Sequence, residues 1–181
     1  DIIAEQVSED EQARNTVRFA FSRQAVITAK VVKGKETEAD KYRDYFEFSK
    51  PLKKCTSHQL LAIRRAEAEG LLKVSISPDD EECVERLERR FVRSNNACGE
   101  QVAEAVQDAY KRLLKSSIET EFAAQSKEQA DEEAIRVFVQ NLRQLLLASP
   151  LGQKRVMGID PGFRTGCKVI CLDAQGNLLH N

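Results

Sequence analysis

Val156-Met157-Gly158-Ile159-Asp160-Pro161-Gly162-Phe163-Arg164-Thr165-Gly166 decides how the C-terminal end of this chain reads. An apolar stretch runs into an aspartate and a proline-glycine turn. A second apolar stretch follows, Cys167-Lys168-Val169-Ile170-Cys171-Leu172. Period-two alternation puts Val156, Gly158 and Asp160 on one face and Arg155, Met157 and Ile159 on the other. Gly162 and Gly166 give the backbone freedom of a tight connection, and Pro161 presets one turn dihedral. Asp173-Ala174-Gln175-Gly176 is a second turn signal, ahead of Asn177-Leu178-Leu179-His180. The reading is a β-meander with an aspartate at the mouth of its first hairpin. Three strands alone bury little core, and the chain opens on Asp1 rather than methionine. A segment of a longer protein is therefore expected.

Upstream the period changes from two to about 3.6 residues. Residues 2–7 read as the end of a short helix. Ser8 with Glu11 forms a capping-box pattern that opens a second helix to about Gln24, with Val17, Ala20 and Phe21 on one face. The run 25–32 is rich in β-branched residues but has no evident partner, so a strand and an irregular helical connection both stay open. Lys33-Gly34-Lys35 turns the chain into a charged helix through 41–46, which Lys50-Pro51 breaks. Thr56 with Gln59 caps the next helix, and Gly70 closes it. A brief extended piece, 71–76, precedes Pro78. A helix from about Asp79 then places Val84, Leu87 and Phe91 on one side, and Asn95-Asn96 ends it.

Two longer patterns follow. From about Glu100, Val102, Val106, Tyr110, Leu113, Leu114, Ile118 and Phe122 recur at helical spacing. Ser126 with Gln129 reads as the cap of a last helix, whose apolar face is Ala134, Ile135, Phe138, Leu142, Leu145 and Leu146 and which Ser149-Pro150 ends. These two helices are expected to pack on each other, burying Leu113 and Leu142. The fold class is thus mainly α: a multi-helix domain over 1–150 and a short C-terminal β-meander over 154–181.

Composition limits the function classes. Of 181 residues 41% are hydrophobic and 31% charged, as in soluble globular proteins. The formal net charge of −1 gives no overall attraction to nucleic acid, so any basic surface must be local. No apolar run is long enough for a membrane span, so no membrane partner is expected. Five cysteines, Cys55, Cys83, Cys98, Cys167 and Cys171, make an odd count without a C-x-x-C pair. Cys167 and Cys171 lie about 13 Å apart at strand rise, too far to bridge. Reduced thiols and a cytoplasmic location follow as expectations, and two separated histidines, His58 and His180, give little basis for zinc.

Several long matches, in order, carry a family resemblance. Lys41-Tyr42-Arg43-Asp44-Tyr45-Phe46-Glu47-Phe48-Ser49-Lys50-Pro51-Leu52 followed by Ser57-His58 resembles the Tex family of bacterial transcription accessory proteins. So do Arg93-Ser94-Asn95-Asn96-Ala97-Cys98, residues 130–138 and residues 142–152. Residues 158–166 resemble the opening of that family's YqgF-type, ribonuclease H-like domain. The resemblance implies a multi-domain nucleic-acid-binding protein associated with transcription, with the meander as the start of an incomplete ribonuclease H-like α/β domain. Thr56 and Gln59 depart from the proline and arginine common in the family.

Candidate chemistry is sparse. In ribonuclease H-like nucleases a first-strand carboxylate joins others to hold two Mg²⁺ ions. Asp160 takes that place here as a candidate catalytic and metal residue, yet one carboxylate cannot do this work, and it can equally cap its own turn. No cofactor is expected unless the nuclease reading holds, when Mg²⁺ would be required. Arg86, Arg89, Arg90 and Arg93 follow an i, i+3, i+4, i+7 pattern, a stripe suited to phosphates. Glu82 and Glu85 precede Arg86 and Arg89 by four residues and offer intrahelical pairing instead. Arg90 and Arg93 have no such acid and are the sharper nucleic-acid-binding candidates. Lys111, Arg112 and Lys115 repeat the theme, with Asp108 as an acid for the first two and Glu119 as a weak partner for Lys115. Arg164 and Lys168 flank the Asp160 turn. Tyr42, Tyr45 and Phe46 have the spacing of core aromatics. The expected function is nucleic-acid binding, DNA or RNA, in support of transcription, with this segment as scaffold and the transcription machinery as a possible partner. The alternatives are a metal-dependent nuclease at Asp160 and a protein-interaction platform.

Overall fold

The computed structural model describes residues 2–162 and 166–181. The chain divides into two compact units, one ending at Val137 and one over Phe138–Asn181. In the first unit come helices α1 (Ile2–Glu9) and α2 (Glu11–Gln24), strand β1 (Val26–Val31), a 3₁₀ turn (Asp40–Tyr45), β2 (Glu47–Pro51), α3 (Ser57–Ala68), β3 (Leu72–Ser77), α4 (Asp80–Phe91) and α5 (Ala97–Asp108). A π-helical turn, Ala109–Leu114, joins α5 to the long helix α6 (Lys115–Leu146), which runs past the unit boundary. Strands β4 (Val156–Gly162), β5 (Gly166–Leu172) and β6 (Leu178–His180) follow. The described residues are mainly helical.

The run 25–32 is a strand, and not an edge strand. Antiparallel β1 lies between β2 and β3 in the order β2-β1-β3, with Ile27 opposite both Lys50 and Ile76. Its partners lie far along the chain, where local pattern does not reach. One inward face carries Ile27, Ala29 and Ile76, all buried. The charged helix expected at 41–46 is instead a 3₁₀ turn in which Tyr42 leaves helical geometry at φ −114°, ψ 20°. Tyr42 is buried, and Tyr45 and Phe46 pack against the core, as their spacing predicts.

Of the three expected capping-box starts, one holds and two do not. Thr56 does precede α3, with its amide donating to Gln59 Oε1 at 3.5 Å, and Gly70 follows at φ +69°. At α2 the cap is Asp10, not Ser8: its carboxylate accepts from the Ala13 amide at 2.7 Å, while Ser8 donates back to the Glu5 carbonyl. Ser126 starts no helix. Its hydroxyl donates to the Ala123 carbonyl one turn back, a bond that lets serine sit inside a helix.

The two long helices are consequently one path through the π turn, and they cannot pack on each other. The reason is visible in Val106, Tyr110, Leu114 and Ile118, all fully buried. A strict four-residue repeat drifts by about 40° per step around an α-helix. One wider turn absorbs that drift and keeps all four side chains facing the core. Around them lie Val7, Val17, Phe21, Ile63 and Leu87. Arg18 of α2 anchors on Glu121 of α6 by a two-pronged bond, Nε to Oε1 and Nη2 to Oε2, both at 3.0 Å. Leu113, by contrast, is only half-buried, and Leu142 is 38% exposed.

The second unit contains the expected meander, β4-β5-β6, antiparallel throughout. A Cβ at Gly158 would meet Ile170 Cγ1 at 3.0 Å, a contact tight enough that the Ile170 side chain would have to give way. Asp173 closes the second turn by accepting from the Gln175 and Asn177 amides at 2.9 and 2.8 Å.

These faces predict opposite outcomes for two apolar truncations. Ile118→Ala should lower stability by about 2–5 kcal/mol, as core truncations do. Leu142→Ala should stay within about 0.5 kcal/mol of the parent. Chemical denaturation of both variants checks the pair.

Candidate nucleic-acid interface

The arginine stripe of α4 resolves into three different situations. Asp79 caps the helix by accepting from the Glu81 and Glu82 amides, and Glu82 and Glu85 then meet Arg86 and Arg89 one turn on, at 2.5 and 3.1 Å. Those two pairs are as the spacing predicts. Arg90 is the correction: it reaches Asp10 at 3.2 Å and also hydrogen-bonds Gln12 on α2. Its acid comes from the start of the chain, where helical spacing gives no sign of it. The Ala13 amide first, and then Arg90, hold the Asp10 carboxyl below the usual carboxylate range. Arg90 thus fastens α4 to the cap of α2.

Arg93 differs. It stands exposed on the loop between α4 and α5 and makes no ion pair or hydrogen bond among the described residues. The loop is nevertheless held. Asn96 caps α5 by accepting from the Gly99 amide at 3.0 Å, and a Cβ on Gly99 would fall 1.8 Å from the Ser94 carbonyl. Glycine is thus what allows the 94 carbonyl to press on the helix start.

Lys115 does not reach for Glu119. Its ammonium lies 2.5 Å from Asp80, whose other oxygen accepts from Tyr110 at 2.7 Å and Ser77 at 2.9 Å. Glu119 instead accepts from the Ile76 amide at 2.6 Å. Burial by itself would raise the Asp80 carboxyl, but the three donors outweigh it and hold the group below its ordinary value. Burial, and then the bond to Asp80, push the Tyr110 phenol far upward. A helical repeat contains no signal for this cluster, because its members come from a strand end, a helix start and the π turn. Arg112 pairs with Asp108 at 2.8 Å, as expected.

In the meander, Asp160 is exposed and sits directly opposite Lys168 in the ladder. Arg164 and any cap that Asp160 makes within its own turn fall on 163–165, outside the described residues. Asp173 has its oxygens engaged by Gln175 and by both nitrogens of Asn177. No three histidine, cysteine, aspartate or glutamate side chains converge as a metal site among the described residues. One carboxylate facing a lysine does not fit a two-metal centre, which needs several carboxylates converging on the ions. His58 is a local partner of Thr56, with Nε2 at 3.4 Å from Oγ1. Gln59, where the family commonly has arginine, is engaged by the Thr56 amide and by Lys50. No helix among the described residues is long and apolar enough to cross a membrane.

Comparison with known proteins places both units. Residues 1–138 match the model for the Tex central region-like domain, and residues 154–181 match that for the Tex protein YqgF-like domain. The chain is 37% identical over 186 residues to the transcriptional accessory protein Tex of Neisseria gonorrhoeae, covering 98% of this chain and 24% of that protein. Protein YhgF of Escherichia coli is 37% identical over 188 residues, again 98% of this chain and 24% of the relative. The human S1 RNA-binding domain-containing protein 1 is 32% identical over 192 residues, 99% of this chain and 19% of that protein. The chain thus spans about a quarter of the length of its bacterial relatives.

The Asp80 cluster yields a pH-dependent expectation. A carboxyl held low in the folded state stabilises it above the unfolded value near 3.9, and that contribution disappears as pH falls through the folded value. Tyr110→Phe removes one donor and moves the folded value back up. Stability should drop by about 1–2 kcal/mol at neutral pH. The gap to the parent should shrink as the solution is acidified below about pH 4. Urea titrations across the pH range measure it, and a gap independent of pH would mean the lost bond does not act through Asp80.

Proposed function

The chain belongs to the Tex family, and from that footing we propose that it is the central helical scaffold, with the start of the YqgF-like domain, of a nucleic-acid-binding protein that assists transcription. The observation that carries this reading is the match of both family models in the expected order. A relative named for RNA binding, similar over nearly the whole of this chain, supports nucleic acid as the ligand of the full protein. The transcription machinery is the proposed protein-side partner, on the printed name of the Neisseria relative. The site geometry supports the scaffold role. Three arginines of the stripe are neutralised internally, Arg86 and Arg89 along α4 and Arg90 across to α2, and Arg18 is likewise paired across to α6.

Arg93 remains as the arginine of the stripe best placed for a phosphate, held outward on a loop fixed at Gly99. Contact with a backbone phosphate releases counterions, and the logarithm of affinity falls with log salt by about 0.9 per phosphate on duplex DNA. Arg93→Gln should therefore weaken binding and flatten the salt slope by about one unit, without changing preference among sequences. Arg90→Gln should leave the slope unchanged and lower the melting temperature, because it frees Asp10 and Gln12. Fluorescence anisotropy over a salt series, paired with thermal melts, separates the two variants. An unchanged slope for Arg93→Gln would move the phosphate contacts away from Arg93, to another surface of this segment or out of it.

A further inference from the structure

Within the first unit, a cleft of about 340 Å³ lies among the end of α2, the start of α3 and the middle of α6. Its floor is apolar: Phe21 and Phe122, with ring centroids 5.4 Å apart, and beside them Leu52 and Leu60. Its rim is polar, with Gln125 and Gln129 one helical turn apart on α6 and Lys53 on the facing segment. Glu133, a further turn along α6, accepts a hydrogen bond from Ser57 through Oε2. That bond fixes the carboxylate at the mouth and leaves Oε1 without a hydrogen bond among the described residues. Lys53, Gln125, Gln129 and Glu133 are all exposed, so these groups face solvent rather than serving the core.

An apolar floor that includes a half-buried aromatic ring, with amides and a carboxylate at its edge, matches a flat ring with polar edges. A nucleobase has that form. Its face stacks on an aromatic side chain, and its edge takes hydrogen bonds from side-chain amides. A carboxylate accepts from an exocyclic amine, as it does from the N4 amine of cytosine. Adenine, cytosine and guanine carry such an amine; uracil does not. Lys53 lines the cleft, is exposed and has no acidic partner among the described residues, so its ammonium is available to the phosphate of that nucleotide. We propose that this cleft receives one unstacked, amine-bearing nucleobase from a single-stranded nucleic acid, an assignment that rests on the nucleic-acid reading above. A base held in a duplex has first to be unstacked, at a cost of a few kcal/mol. Single strands are therefore the preferred ligand.

Cys55 lines the same cleft and is half-buried, so it reports occupancy. The experiment uses the 181-residue chain with short fluorescent homopolymers of A, C and U, read by anisotropy. It is paired with mass-spectrometric measurement of Cys55 alkylation by N-ethylmaleimide. Oligo(A) and oligo(C) should bind more tightly than oligo(U) and slow alkylation at Cys55. Gln125→Ala with Gln129→Ala should weaken binding about tenfold, the scale of one stacked and read base. Glu133→Gln should abolish the preference over oligo(U). Phe122→Leu, which keeps an apolar floor, should lower affinity for every homopolymer, with circular dichroism confirming the fold. If oligonucleotides bind but Cys55 is not protected and the rim variants bind as the parent does, the cleft assignment falls and the family reading stands. If no oligonucleotide binds even at about 50 mM salt, the nucleic-acid role of this segment falls with it. Protection of Cys55 by an amphipathic peptide and not by oligonucleotides would overturn the assignment in favour of a protein partner.

Discussion

The Asp80 carboxylate is the constraint on which the arrangement of the first unit depends. A half-buried charge is costly unless its lone pairs are met, and removing one member of such a group leaves the rest uncompensated. Here three donors meet it: Ser77 from the end of β3, Tyr110 from the π turn and Lys115 from the start of α6. Each donor belongs to a different element, so only one mutual placement satisfies the group. Glu119, one turn beyond Lys115, adds a second tie by accepting from Ile76 on the outer side of β3. That bond also covers a sheet edge that would otherwise present an open amide to other chains. β3 in turn holds β1, and β1 holds β2, so the sheet takes its position from the helix through two carboxylates.

What the sequence made legible follows from how local each determinant is. The meander was readable because its hairpins are short and its turn residues adjacent; Asp160 opposite Lys168 lies within one such hairpin. The α4 pairs Glu82–Arg86 and Glu85–Arg89 were readable because four residues separate each pair. Arg90 was not, since Asp10 and Gln12 reach it through the fold alone. The same holds for β1, whose β-branched run was visible but whose two partners were not. Ser126 misled for a different reason. Serine favours caps because it bonds nearby backbone, and inside α6 it satisfies itself on Ala123, so its helix-starting signal has no effect.

Charge tells a related story about function. A stripe of four arginines in a sequence suggests a phosphate-binding face, yet three of the four are held by acids within the chain. Surface pairs of this kind contribute little to stability, about 0–1 kcal/mol each. They do lower the free positive charge available to a polyanion. With a net charge of −1, this segment is poorly suited to hold nucleic acid by attraction alone. Recognition by stacking and edge contacts needs no such excess, which is why an aromatic-floored cleft is the more informative surface.

The π turn also explains why two equally regular apolar patterns came to different ends. Val106 to Ile118 repeats every four residues, and a widened turn rotates the chain enough to keep that repeat in the core, beside α1. Further along α6, Ile135, Phe138, Leu142 and Leu145 repeat just as clearly, yet are between 38% and 74% exposed. Periodicity therefore measures the capacity of a helix to bury one face. It carries no record of what the face meets. In the first case, the Asp80 and Glu119 bonds fix the helix where the strand layer lies within reach. The apolar pattern alone does not bring such a tie.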